Sequence, residues 1–231
     1  MASSEDLTVS RSINAVLLVL LVSAACALGW YKFRGSAMVA VPRLPFYCAE
    51  DFTAEWIAPT DPRYSKIHRI APFSLRNQHG DLVTNATLAG KIYVANFFFT
   101  SCPGICPKMA TNFLRVQTAF ASDDDVRLVS HSVMPDSDTP EVLQNYAAEH
   151  GVTAGKWHLL TGDKQSIYSL ARRSYFAEKL LGFRKDTSEF LHTENMLLID
   201  RHGRIRGIYN ATLPVDADRA IDDIRLLKRE P

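Results

Sequence analysis

The stretch that most limits the fold of this chain is Lys91-Ile-Tyr-Val-Ala-Asn-Phe-Phe-Phe99, followed directly by Thr100-Ser-Cys-Pro-Gly-Ile-Cys-Pro107. A continuous run of β-branched and aromatic residues suits a central strand buried on both faces. Such a strand has to be covered by other elements on each side. The segment with Pro103, Gly104 and Pro107 ends it. Beyond it Met109, Phe113, Val116 and Phe120 recur at helical spacing, with Pro107 suited to a first helical turn.

The chain from residue 66 onwards continues this alternation. Ile70–Arg76 and Leu82–Thr84 read as a short hairpin pair with Gly80-Asp81 at the turn, and Val126–Val133 reads as a second strand. Thr139-Pro140-Glu141 opens a helix that runs to about His150, with Gly151 as its stop. Trp157–Leu160 is a strand and Asp163–Arg173 a helix, while residues 175–190 show no regular pattern. Asn195–Asp200 and Arg204–Tyr209 form a hairpin across Arg201-His202-Gly203, and Pro214–Lys228 is a final helix. The order predicts a three-layer α/β fold. A cysteine pair between the first long strand and its helix points to the thioredoxin-like class, and in such sheets chemistry collects at the carboxyl ends of the strands.

The N-terminus has another character. Residues 12–31 are uncharged between Arg11 and Lys32. As a helix rising about 1.5 Å per residue, the segment spans about 30 Å, the thickness of a bilayer's hydrocarbon core. The expectation is a membrane-anchoring N-terminal helix within residues 1–34, a tether over 35–65 that packs on the domain, and a thioredoxin-like domain over 66–231. Ser23-Ala24-Ala25-Cys26 faintly resembles a lipoprotein cleavage box, but Ser23 stands where leucine is preferred, so an uncleaved anchor containing Cys26 is favoured. Lys and Arg number one before the span (Arg11) and three after it (Lys32, Arg34, Arg43), which alone would keep the domain in the cytoplasm.

Composition narrows the function. Hydrophobic residues make up 47% and charged residues 22%, which excludes a disordered chain. Lys plus Arg is 26 against 25 for Asp plus Glu, so there is no electrostatic case for nucleic acid. Four cysteines in 231 residues are too few for a disulfide scaffold.

Cys102 and Cys106 are therefore read as a pair. Positions i and i+4 of a helix share a face with Cβ atoms about 5–6 Å apart, whereas a disulfide wants about 3.5–4.5 Å. The spacing suits two sulfurs sharing one metal at least as well as a bond between them, although the bend at Pro103 and Gly104 keeps a disulfide feasible. A helix start lowers thiol pKa and favours thiolate, the form that binds metal or attacks disulfides. Structural zinc needs four ligands, and Cys26 and Cys48 lie in unrelated segments. Soft thiolates with one imidazole suit copper. Of the seven histidines, His192 stands just before the strand Asn195–Asp200, in a loop able to fold back over the cysteines. His131, on the neighbouring strand, is the second candidate, and His202 sits in a turn.

Phe98-Phe-Thr-Ser-Cys102-Pro-Gly-Ile-Cys106-Pro, Asp138-Thr-Pro140, Trp157-His-Leu-Leu-Thr-Gly162 and Phe190-Leu-His192-Thr-Glu-Asn-Met-Leu-Leu-Ile-Asp200 follow in that order. Together they resemble the Sco/SenC family of copper proteins over about residues 66–230, and Lys91–Met109 with Arg206–Tyr209 resemble its branch in Bacteroidetes-type bacteria. The resemblance implies that Cys102, Cys106 and His192 bind one Cu(I) or Cu(II). It implies a thioredoxin-like fold on a single anchor. The role it implies is a metallochaperone, not an enzyme, assembling the dinuclear copper site of cytochrome c oxidase. The implied partners are the oxidase's copper-site subunit and an upstream copper donor or thiol reductant. The implied location is the bacterial inner membrane, with the domain facing the periplasm, against the charge count. The alternative is a thiol–disulfide oxidoreductase that uses Cys102 and Cys106 to keep the oxidase cysteines reduced; a copper- or redox-sensing role is a weaker third. Asp138 matches the family pattern. Met134 and Leu191 stand where many members carry acidic residues, and Met134 is read as loop packing rather than as a copper neighbour. Asn85-Ala-Thr87 and Asn210-Ala-Thr212 match the glycosylation triplet by chance.

Overall fold

The computed structural model describes residues 21–30, 43–177 and 193–230. The chain divides into two compact units, residues 1–41 and residues 42–231. In the first, residues 21–30 form a helix, α1. Among the described residues no helix is long and apolar enough to cross a membrane, and the anchor expected over 12–31 falls outside them except for residues 21–30.

The second unit begins with β1 (Phe46–Tyr47), β2 (Ala54–Glu55) and a 3-10 turn at Pro62–Lys66, then β3 (Ser74–Arg76), β4 (Leu82–Thr84) and α2 (Asn85–Leu88). It continues through β5 (Ile92–Phe98), α3 (Cys106–Ala119), β6 (Val126–Ser132), α4 (Pro140–Glu149), β7 (Trp157–Leu160) and α5 (Lys164–Arg173). It closes with β8 (Asn195–Ile199), β9 (Ile205–Asn210) and α6 (Pro214–Leu227). The central sheet has the order β7-β6-β5-β8-β9. β5, β6 and β7 are parallel, and β8 and β9 return antiparallel.

β5 is buried at every residue, as its unbroken apolar run requires. Side chains alternate across a strand. Val94 and Phe98 therefore face the core under α3, α4 and α6, with Phe113, Leu143 and Ile224. Tyr93, Ala95 and Phe97 face the core under α5 and the β3–β4 hairpin, with Ile167, Leu170 and Val83. Helices on one side and a helix plus hairpin on the other make the three layers.

Local chemistry sets the helix ends. Thr139 accepts from the Val142 N–H and Asp163 from the Ser166 N–H, with Pro140 in the first turn of α4. Gly151 takes φ +69°, a left-handed stop that glycine adopts without a Cβ clash.

One expectation is corrected. The strand expected from Ile70 starts at Ser74, because the donors before it are used elsewhere. The Ile70 N–H donates to the Gly203 carbonyl, the Ala71 N–H to Ser174 Oγ and the Phe73 N–H to Asn85 Oδ1, and Pro72 has no N–H. The Asn85 side chain thus ties the segment before β3 to the start of α2.

Residues 43–67 pack on the domain. Phe46, Ile57 and Ile67 form a small apolar cluster. Arg206 on β9 donates to the carbonyls of Leu44 (2.7 Å) and Pro45 (3.0 Å), and the Leu44 N–H donates to Glu230.

Candidate metal centre

β5 delivers the chain to the cysteines. After Phe98 the backbone turns, the Cys102 N–H donating to the Phe99 carbonyl at 3.4 Å, and α3 starts at Cys106. α3 has no side-chain cap: its N-cap residue is Ile105, and Pro107 lies in the first turn. A helix start without a cap leaves N–H groups pointing at whatever lies in front of it. Here that is the Cys102 sulfur.

Both cysteines carry free thiols and both are buried, Cys102 at 8% and Cys106 at 3% exposure. Their environments differ. Burial pushes the Cys102 thiol up, but the Cys106 N–H, the Cys106 thiol and the N–H groups of Gly104 and Ile105 oppose it together, and the net pKa lies below the usual thiol value. Burial pushes Cys106 up to about 12; a backbone interaction with Phe99 offsets part of this, while Cys102 and the negative charge of Asp138 add to it. One thiol ionises readily and the second resists. A bound cation reverses that resistance, because a coordinating thiol loses its proton outright. The pair thus offers two soft donors, one in the loop after β5 and one at the first residue of α3, a set that fits a soft metal ion.

Asp138 lies beneath this loop at 1% exposure. Its carboxylate accepts from the Thr100 N–H (3.2 Å), Thr100 Oγ1 (2.5 Å) and Ser132 Oγ (2.5 Å). Sequence reasoning saw Asp138 only as part of a motif. Tyr146 of α4 packs on Phe98 with ring centroids 5.4 Å apart, and burial raises its hydroxyl pKa, with the two cysteines adding to the effect.

The second-choice histidine does not join the sulfurs. His131 pairs with Phe97 across β5–β6, so it faces the opposite side of the sheet from Phe98. It stacks on Phe97 at 5.1 Å and lies against Phe73 and Tyr175, and burial lowers its pKa to about 3. His202 is in an exposed turn, as expected. His192 lies outside the described residues. Among the described residues no group of three His, Cys, Asp or Glu side chains could hold a metal. Met134, read as loop packing, is instead 41% exposed after β6. The loop is ordered through its backbone, the Met134 carbonyl accepting from the Ser137 and Asp138 N–H groups.

One more element converges here. Leu197 of β8 stands opposite Ala95 of β5 in antiparallel register. The start of β8 therefore lies beside the end of β5 from which the cysteine loop departs. Thr193, just ahead of β8, is buried at 4% exposure.

A parallel β–α core with an antiparallel closing hairpin, and a cysteine pair at the strand-to-helix junction, define a thioredoxin-like protein. Residues 62–228 match the SCO1/SenC family model, and the chain belongs to that family. It is 30% identical over 160 residues to the SCO1 protein homolog of Bacillus subtilis, covering 68% of this chain and 82% of that protein. It is similar to the solved structure of BsSco, a member of the Sco family of cytochrome c oxidase assembly proteins in which a disulfide switch was identified. The TM-score is 0.60 at 28% identity, covering 71% of this chain and 95% of that one. It is also similar to Bradyrhizobium japonicum ScoI, solved with copper bound. The TM-score is 0.54 at 30% identity, covering 68% of this chain and 98% of that one.

Proposed function

We propose that this chain is a copper metallochaperone that carries one copper ion as cargo on Cys102, Cys106 and His192 and delivers it to the dinuclear copper site of cytochrome c oxidase. The observation that carries the reading is the pair of free, buried sulfurs at an uncapped helix start, one of them with a lowered pKa. Thiolate donors favour copper, and relatives of similar fold are copper-bound. For the third ligand, the support is its place in the sequence. His192 directly precedes Thr193. Thr193 in turn leads into β8, which runs antiparallel to β5, the strand from which the cysteine loop departs. Delivery proceeds by exchange of sulfur ligands with the partner's cysteines, which requires no chemical turnover.

The second reading, a thiol–disulfide oxidoreductase acting on the oxidase cysteines, is favoured by the inequality of the two thiols and by the disulfide switch of BsSco. The two readings separate on oxidation. A disulfide ties up both donors, and thiolates are the metal-binding form. The full chain with a verified Cys102–Cys106 disulfide is expected to take up little copper until reduced. Full uptake by the disulfide form would remove these sulfurs from the ligand set.

The location belongs to the same reading: an uncleaved helix over about residues 12–31 in a bacterial inner membrane, with the domain in the periplasm beside the oxidase subunit and its copper donor or thiol reductant. Large folded domains translocate largely regardless of flanking charge, so the Lys and Arg count does not decide it. A C-terminal reporter active only after export is expected to be active. An inactive export reporter, with a cytoplasmic reporter active at the same junction, would contradict this topology.

A further inference from the structure

We propose that Asp138 is a positioning residue for the thiol pair, its buried carboxylate clamping Thr100, and with it the Cys102 loop, to the end of β6. The inference rests on the cysteines being the working site and adds a residue that sets their geometry. Thr100 stands two residues before Cys102, and both of its donors are committed: the N–H to Asp138 Oδ2 at 3.2 Å and the hydroxyl to Oδ1 at 2.5 Å. Ser132, the last residue of β6, donates its hydroxyl to Oδ2 at 2.5 Å and accepts the Met134 N–H at 3.1 Å. The Asp138 N–H closes the same loop onto the Met134 carbonyl at 2.9 Å. The carboxylate thus joins the ends of β5 and β6 at the point where the cysteine loop leaves the sheet.

Burying a carboxylate is costly unless donors surround it. This one accepts from three donors, the Thr100 N–H and the Thr100 and Ser132 hydroxyls. An amide cannot match that set. Its NH2 cannot face the Thr100 N–H, so it has to lie at the Oδ1 position, where Thr100 Oγ1 must turn from donor to acceptor. The charge-assisted bonds then become neutral ones, which are about half as strong. The loop is held less firmly, and the two sulfurs are presented less well both to each other and to a metal.

The test compares the full chain with Asp138→Asn, Thr100→Val, the double variant and Thr100→Ser. Its first readout is metal-free. In a glutathione buffer the Cys102–Cys106 disulfide and two glutathione thiols exchange with the dithiol and one oxidised glutathione, so two electrons and two protons move to the protein. Asp138→Asn and Thr100→Val are each expected to shift this equilibrium about fivefold, the factor that corresponds to the ~1 kcal/mol by which a charge-assisted hydrogen bond exceeds a neutral one. Because both act through one contact, the double variant should shift it no further than the more severe single one. Thr100→Ser keeps both donors and should restore what Thr100→Val loses. The second readout is copper affinity, expected to fall about 10–100-fold in Asp138→Asn, as for outer-shell partners of metal ligands.

An unchanged equilibrium and unchanged affinity in folded Asp138→Asn would overturn the proposal. If Asp138→Asn does not fold, the Thr100 pair decides: equal behaviour of Thr100→Val and Thr100→Ser overturns it, and a shift in Thr100→Val alone supports it. If the wild-type chain binds no copper, the metallochaperone reading fails, and the glutathione equilibrium still decides the role of Asp138.

Discussion

Arg206→Ala is expected to lower the stability of the domain by about 3–5 kcal/mol, the cost of removing one partner from a buried ion pair. Arg206 is 2% exposed, with Nη1 3.3 Å from Asp200 and Nη2 2.7 Å from Glu230. Its guanidinium also lies 4.2 Å from the centre of the Phe46 ring and holds the Leu44 and Pro45 carbonyls. Alanine would leave the Glu230 carboxylate with the Leu44 N–H and no buried cation, and would free the segment entering the domain. For a domain of this size each kcal/mol moves the midpoint by about 2–4 °C, so thermal unfolding followed by circular dichroism should show a fall of about 6–20 °C. A loss below about 1 kcal/mol would mean that Arg206 does not tie residues 43–47 to β9.

The second large effect is expected at the proposed third ligand. His192→Ala should weaken copper binding by more than about 100-fold, because removing a direct ligand exceeds the loss seen for outer-shell partners. The Cys102–Cys106 couple should still cycle between dithiol and disulfide, since imidazole takes no part in thiol exchange. Competition against a chelator of known affinity measures the first, and a glutathione titration the second. Unchanged copper affinity would move the third ligand elsewhere. His131 does not qualify, because it is enclosed by Phe97, Phe73 and Tyr175 on the other side of the sheet.

Which parts of this were legible in the sequence follows from the range of the forces involved. The β5 run, the Thr139 and Asp163 caps and the Gly151 stop act within a few residues, so the elements around them lie close to where the pattern puts them. The cysteine pair was legible for the same reason: strand, turn and helix start are adjacent. Features that depend on distant partners were not. The start of β3 shifted because Gly203, Ser174 and Asn85 take the donors that a strand would use. His131 looked available because sequence cannot show which face of β6 is covered by aromatic rings. Arg206 alternates along β9 like a surface residue, yet it is buried because Asp200 and Glu230 converge on it from other segments. Asp138 was visible as a motif, but its grip on Thr100 and Ser132 appears only once β5 and β6 lie side by side.

The central claim is that Cys102 and Cys106 hold copper. The most direct measurement is a titration of the reduced full chain with Cu(II), followed by visible absorption. The account predicts saturation at about one copper per chain with intense sulfur-to-copper charge-transfer bands, since thiolates are the donors. It further predicts that those bands change in energy and intensity in Cys106→Ser and vanish when Cys102 is replaced as well. Colourless Cu(II) binding through oxygen and nitrogen alone, or the same bands persisting without Cys106, would contradict it.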